Sequence, residues 1–349
     1  MPNVSAEKLE TLARALLVAS GTPAGDAATI ARLSIAANLA GHDSHGIILI
    51  PTYIERVKKG HIIPDAKWGI VQETPTTTVV DGNWGFGYVV TERAMRHTIA
   101  KAKTQNVAAT TVYRQGHIGR LASYPLMAAA EGMIAMITAD SGRSPKHVAP
   151  FGGAKARLGT NPICFAVPSD LEGPLFFDMA TSAAAAGKIT VALARGKEVP
   201  AGWLIDAEGR PTNDPAQLRK GGALLPLGGS EGYKGYGLAA MVEIFSGLLT
   251  GLGFGIDPSG RHNDGCFIAV FNVAAFRDLP TFRREVRDFA EYLKATPPGQ
   301  GFDRVYYPGE IEFERERERR ATGIPIEDAT WAALGKLAGE LGVASAMEG

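Results

Sequence analysis

The chain has 349 residues, 45% of them apolar, enough to bury a sizeable core in two or three domains or in one elaborated one. Lys and Arg together number 36 and so do Asp and Glu, and a formal net charge of zero argues against an electrostatic nucleic-acid binder or a membrane-surface protein. The first 17 residues read as an amphipathic helix rather than a targeting peptide, and no apolar run approaches the roughly 18 residues of a membrane span, so a soluble, cytoplasmic protein is expected.

Helices are predicted over Ala6–Ala19 and Ala24–Leu39, and a third follows the tetrad Asp43-Ser44-His45-Gly46 and ends at Lys58-Lys59-Gly60, a helix stop signal. From about residue 67 the period changes to alternation rich in Val and Thr. Strands are expected at 68–74 and 76–81, joined at Pro75, with a turn at Asp81-Gly82-Asn83. A helix over 88–105, a β-branched strand over 107–113 and a helix over 122–131 come next. Buried strands are predicted at 133–138, 162–167 and Leu175–Met179, then helices at 183–195 and 235–249. A strand at 266–273 and a charged helix at 281–295 lead to residues 312–320, whose alternating charges read as a solvated helix face, and to a last helix at 331–341. Helices from both ends thus flank a mixed α/β middle. Cys164 and Cys266 sit in apolar stretches and read as buried packing thiols.

The tetrad sets a carboxylate, a hydroxyl and an imidazole side by side. Histidine is the side chain whose ordinary pKa, about 6.5, lies nearest working pH. Ser44 is a candidate N-cap, which would put His45 in a first helical turn where the dipole favours the neutral ring. Pro51 offers the other arrangement, a helix that starts there and leaves His45 in the loop before it. The simpler reading is a capping serine beside a surface histidine.

Gly235-Tyr236-Gly237-Leu238-Ala239-Ala240 fits a dinucleotide fingerprint on paper, but a polar glycine loop precedes it instead of a strand. The loop 228–237, with Lys234, still has the makings of an anion-binding helix entrance. Gly116-His117-Ile118-Gly119-Arg120 lies between a strand and a helix. Phe177-Asp178-Met179-Ala180-Thr181-Ser182 ends an apolar strand, and Thr181 or Ser182 is a candidate cap for the next helix. His42 and His45 have no third ligand nearby, so no metal site is expected.

In order, GHDSHGIILIPTYIERVKKG, GHIGRLASY, VAPFGG, LGTNPI, DMATSAAAAGK, PAGWLIDAEGRPTNDP, PLGGSEGYKGYGLAAMVE and YPGEIEFERERERRATGIP resemble the type-2 malate/L-lactate dehydrogenase family of NAD(P)-dependent oxidoreductases, with the hydroxycarboxylate dehydrogenase B branch nearest. These stretches run from residue 41 to about 325. The resemblance implies a non-Rossmann α/β (α+β) fold with a mixed, largely antiparallel central sheet. One helical domain would come from residues 1–70 and 300–349. A cofactor domain would span 71–299, with a small helical subdomain near 185–250, and the enzyme would be a homodimer.

It further implies hydride transfer between a nicotinamide (NAD or NADP, no metal) and the α-carbon of a small 2-oxo or 2-hydroxy acid. By position, His45 is the proton donor and acceptor, Ser44 its relay, and His117 a nicotinamide neighbour or the alternative acid/base. Cofactor contacts would fall on His117, Arg120, Ser144, Asp178, Met179, Ala180, Thr181, Lys234, Gly235, Pro308, Gly309 and Glu310. Thr160, Leu49 and Lys188 would face the substrate. Many members carry an arginine where this chain has Leu49, so Arg56, Arg120 or Arg143 must grip the carboxylate, or the pocket takes a bulkier, more apolar substrate. The imine-reducing branch has an acid where this chain has Lys188, which favours a 2-oxo acid over a cyclic imino acid of the piperideine-2-carboxylate type. The remaining alternative is a catalytically silent dimeric scaffold.

Overall fold

The computed structural model describes residues 1–140, 145–257 and 259–347. At the N-terminal end come β1 (Asn3–Val4), α1 (Ala6–Ala19), α2 (Ala24–Leu39) and α3 (Ile50–Lys58). The middle carries β2 (Gly69–Glu73), β3 (Thr77–Gly85), α4 (Gly87–Gln105), β4 (Val107–Gln115), α5 (Pro125–Ala130), β5 (Met133–Ala139), β6 (Ile163–Val167) and β7 (Leu175–Met179). Then follow α6 (Ala186–Ala194), the short strands β8 (Leu204–Ile205), β9 (Pro211–Thr212) and β10 (Ala223–Leu224), α7 (Gly232–Glu243), β11 (Cys266–Asn272) and α8 (Leu279–Lys294). The chain finishes with α9 (Glu310–Thr322), β12 (Ile324–Pro325) and α10 (Asp328–Glu340).

Seven strands form the central sheet in the order β2-β3-β4-β11-β5-β6-β7. Every pairing is antiparallel except β3 with β4. Strand alternation sorts β5 onto two faces. Met133, Ala135, Ile137 and Ala139 join the main core with α4 and α5, while Thr138 turns the other way and bonds the Ser246 hydroxyl at 2.7 Å, in the π-helical turn that continues α7. The sheet is therefore covered on both sides, which explains its near-continuous apolar strands. A second, smaller core of Val148, Ala184, Ile189, Val199, Leu204 and Leu224 underlies α6 and the three-stranded sheet β10-β8-β9. The two ends of the chain meet where β1 pairs antiparallel with β12, Asn3 opposite Pro325 and Val4 opposite Ile324.

Four local expectations change. Asp81-Gly82-Asn83 is not a turn but part of β3. Asn83 and Trp84 take φ of 46° and 64° and absorb a register shift against β4. Neither Thr181 nor Ser182 caps α6; Thr181 Oγ1 donates to the Thr160 and Asn161 carbonyls, and Ser182 Oγ donates to the Ala184 carbonyl. Ser44 does not cap a helix either. Asp43–His45 and Ile47–Leu49 are single 3-10 turns, and α3 begins at Ile50 with Pro51 in its first turn. The charged α9 is solvated along most of its length, but Glu310 and Arg319 are buried. Both cysteines are buried and free.

Candidate active site

The tetrad is held from three directions. The Arg319 guanidinium donates to both Asp43 oxygens at 2.7 and 3.0 Å, and the Asn38 amide adds a bond of 2.7 Å. Asn38 Oδ1 then accepts the Ile47 N–H at 2.8 Å. Gly46 sits against this network so closely that a Cβ there would fall 2.1 Å from Asn38 Oδ1. Asp43 therefore builds the turn. Arg319 and Asn38 occupy its carboxylate, and it does not raise the basicity of its neighbour.

His45 is held by Ser44, whose Oγ lies 2.9 Å from Nδ1. The pKa of His45 is lowered to about 4, first by burial and then by His42 and Arg120. Burial does what a helix dipole would have done had Ser44 been an N-cap, since one 3-10 turn, Ile47–Leu49, separates His45 from α3. The His117 ring stacks on it, with centroids 5.7 Å apart. His117 Nδ1 accepts from the Tyr53 hydroxyl at 2.8 Å and from the Gly119 N–H at 3.3 Å, which places the proton of the neutral ring on Nε2. The Tyr53 hydroxyl is 3.3 Å from that of Tyr88, which donates to the His45 carbonyl at 3.2 Å. Gly119, at φ 71°, leaves room for Tyr88, whose ring a Cβ would meet at 2.3 Å.

His117 is pushed down to about 3. Burial dominates, Asp264 opposes it, and His45, His262 and Arg56 add to it. Behind His117, Asp264 pairs with His262 at 2.6 Å and accepts the Ile118 N–H at 3.3 Å. Burial pushes that carboxyl up, but His262, His117 and the Ile118 amide outweigh it and hold it below its ordinary value.

Strand β7 collects the other expected residues. Asp178 Oδ2 accepts the Ala122 N–H at 2.8 Å, and burial raises the Asp178 pKa against the pull of that bond and of Arg120. Arg120 is 8% exposed, lies 5.1 Å over the Phe176 ring and has an Nε without a hydrogen-bond partner among the described residues. Past Met179 and Ala180, Thr181 N–H donates to the Thr160 carbonyl and its own carbonyl accepts the Leu227 N–H, both at 2.9 Å. The DMATS and PLGGSEGYKG segments thus lie side by side. Lys234 is exposed in the first turn of α7 and pairs with Glu231 at 3.0 Å. Gly235 packs so tightly that a Cβ would meet the Leu227 carbonyl at 2.1 Å. Its glycine is needed for chain-to-chain packing, not for a Rossmann turn.

At the other end of β7, the Phe176 N–H donates to the Pro308 carbonyl at 3.1 Å, and Gly309 abuts the Phe176 ring. Glu310 is turned inward, bound by Lys294 and by the Tyr307 N–H at 3.1 Å. Gly187, beside the exposed Lys188, approaches Ser44; a Cβ there would lie 3.6 Å from Ser44 Cβ. Leu49 is half-buried against the main core. Ser144 and Arg143 fall outside the described residues.

Composition and spacing did not single out Asn38, Tyr53, Tyr88, His262, Asp264 or Arg319. Tyr53 alone had a local cue, eight residues after His45 on the buried side of α3. Among the described residues no cluster of three or more His, Cys, Asp or Glu is arranged to hold a metal, and no helix is long and apolar enough to cross a membrane.

A stacked histidine pair beside a sheet whose one parallel pairing is β3 with β4 has clear relatives. The sequence profile described as malate/L-lactate dehydrogenase matches residues 4–335. The chain belongs to this family. Hydroxycarboxylate dehydrogenase B of Escherichia coli K12 is 35% identical over 346 residues, 97% of this chain and 94% of that one. Malate dehydrogenase from Entamoeba histolytica superposes with a TM-score of 0.94 at 36% identity, covering 98% of each chain. A delta1-piperideine-2-carboxylate reductase from Pseudomonas syringae pv. tomato superposes at 0.84 with 30% identity, covering 97% of this chain and all of that one. This member of the malate/L-lactate dehydrogenase family is an oxidoreductase acting on hydroxy acids.

Proposed function

We propose that the chain is an NAD(P)-dependent 2-hydroxycarboxylate dehydrogenase, or 2-oxo acid reductase, with His45 as its proton donor and acceptor. The observation that carries this reading is the pairing of Ser44 Oγ with His45 Nδ1, which leaves Nε2 as the ring nitrogen that exchanges a proton with substrate. In oxidation the neutral imidazole accepts the hydroxyl proton; in reduction the imidazolium donates to the oxygen as charge develops there, an effect of about 10²–10⁴-fold. His117 shares its Nδ1 between two donors and is the harder of the two histidines to protonate, so it orients rather than titrates.

A nicotinamide supplies or takes up the hydride when bound. A buried polar atom without a partner supports its place here: Asn161 Oδ1, beside Thr181 at the end of the Asp178–Thr181 segment. Asp178, Met179, Ala180, Thr181, Lys234, Gly235, Pro308 and Gly309 would hold it, with Thr160 toward the substrate. The Glu310 carboxylate is engaged inside the protein and acts by fixing the start of α9. Residues 1–70 with 300–349 form the unit that carries His45, residues 71–299 the unit that holds the cofactor, and two copies form a homodimer.

A 2-oxo acid is favoured over a cyclic imine because the side chain next to Gly187, near Ser44, is Lys188. A carboxylate there would stabilise a protonated imine, and a lysine would not. The test is a panel of 2-oxo acids and cyclic imino acids crossed with NADH and NADPH, read at the nicotinamide absorbance. Turnover of 2-oxo acids is expected; turnover of imines alone, or none in a protein shown to bind cofactor, overturns the reading.

A further inference from the structure

We propose that Arg120 is the residue that receives the substrate carboxylate. This rests on the 2-oxo acid reading above. Such a substrate carries its carboxylate one bond from the reacting carbon, so its anchor lies close to His45. Arg120 follows Gly119, whose N–H bonds His117 Nδ1 at 3.3 Å, and the His117 ring stacks on His45 with centroids 5.7 Å apart, so the Arg120 loop borders the His45 site. Arg56, on the last turn of α3, acts instead on Tyr53 and His117. Leu49, on the turn just after His45, brings no charge.

The surroundings of Arg120 also suit an anion. It is more than nine-tenths buried, yet its Nε has no partner and it forms no ion pair among the described residues. Asp178 and Glu312 attract it electrostatically, but Asp178 Oδ2 is engaged by the Ala122 amide and Glu312 lies 3.5 Å from His42. A buried guanidinium left unpaired is costly, and a carboxylate offers it two parallel hydrogen bonds in one plane. The Phe176 ring, 5.1 Å from the guanidinium carbon, supports it from one side.

This placement links binding to proton transfer. The Arg120 charge disfavours imidazolium at His45, and a carboxylate seated on Arg120 cancels that charge.

The test uses the full-length protein, Arg120→Met and Arg120→Lys, with a 2-oxo acid and its methyl ester as alternative substrates. Wild type should prefer the acid. Arg120→Met should raise KM for the acid at least about 30-fold, abolish the preference and leave NADH affinity, read by fluorescence, unchanged. Arg120→Lys should recover part of the preference. In the unmutated protein, oxamate should inhibit competitively and oxamide should not, a result that stands even if the variants do not fold. Retention of the acid preference in Arg120→Met, loss of NADH affinity in its place, or equal inhibition by oxamate and oxamide overturns the inference while leaving the 2-oxo acid reading intact. A wild-type protein that reduces no 2-oxo acid overturns both.

Discussion

Arg319 and Asp43, 276 residues apart in the chain, form a two-pronged ion pair at 2.7 and 3.0 Å that fixes the turn carrying His45. Arg319 is buried and Asp43 about half exposed. Asp43→Ala leaves the guanidinium buried without its anion. We expect a stability loss of about 2–3 kcal/mol in urea unfolding, below the figure for a fully buried pair. The fall in kcat should persist at low temperature where the variant is fully folded, because the turn is no longer positioned.

His45→Gln should lower kcat by about 10²–10⁴-fold in both directions while NADH affinity stays near normal. The same substitution at His117 should act mainly through KM and geometry. A normal rate in His45→Gln with a collapsed rate in His117→Gln would move the proton transfer to His117.

Oxidation needs neutral His45, so kcat/KM for the hydroxy acid should be flat above about pH 4 and fall about tenfold per pH unit below it. Reduction needs the imidazolium, and its kcat/KM should fall about tenfold per pH unit above that value. The same shift governs stability. His45 and His117 have folded-state values of about 4 and about 3 against 6.5 unfolded, so the unfolded chain binds more protons between those limits. Their contribution is present above pH 6.5 and is lost as pH falls through the folded values. Asp178, whose pKa is raised, opposes this near its ordinary value. Thermal melts from pH 7.5 to 4 should show Tm falling, and His117→Gln should flatten the slope.

Gly46→Ala drives a methyl into Asn38 Oδ1, the acceptor that holds Ile47, and should yield a destabilised, inactive protein. Gly237→Ala meets nothing within 4 Å in the interior of α7 and should be neutral or stabilising by up to about 1 kcal/mol. Differential scanning of the two variants side by side separates tight packing from a fingerprint glycine.

Leu49→Arg adds a second cation to the turn after His45 and should shift the kcat/KM ratio toward small substrates such as pyruvate or oxaloacetate. An unchanged ratio across the panel would remove Leu49 from the substrate's surroundings.

Much of the sheet was legible because its strands announce themselves locally. Leu175–Met179 has the bounds its apolar run predicts, and the helices over Ala6–Ala19 and Ala24–Leu39 follow from spacing alone. Of the two arrangements the tetrad offered, the structure takes the one in which a helix starting around Pro51 leaves His45 in the chain before it, and burial rather than a helix dipole lowers the pKa of the ring. Arg319 was hidden in a run of alternating charges, since nothing in EFERERERR marks which arginine turns inward. Tyr88 and the His262–Asp264 pair gave no local cue either. They meet His117 and His45 only through tertiary packing, for which sequence neighbours carry no signal.

The pairing of β1 with β12 sets an order of events during synthesis. Val4 has no strand to join until Ile324, made 320 residues later, follows it. Contacts spanning so much of the chain close late and slowly. A nascent polypeptide would thus carry His45 without a secured turn around it until α9 and its Arg319 have been made, and catalysis would wait on that segment.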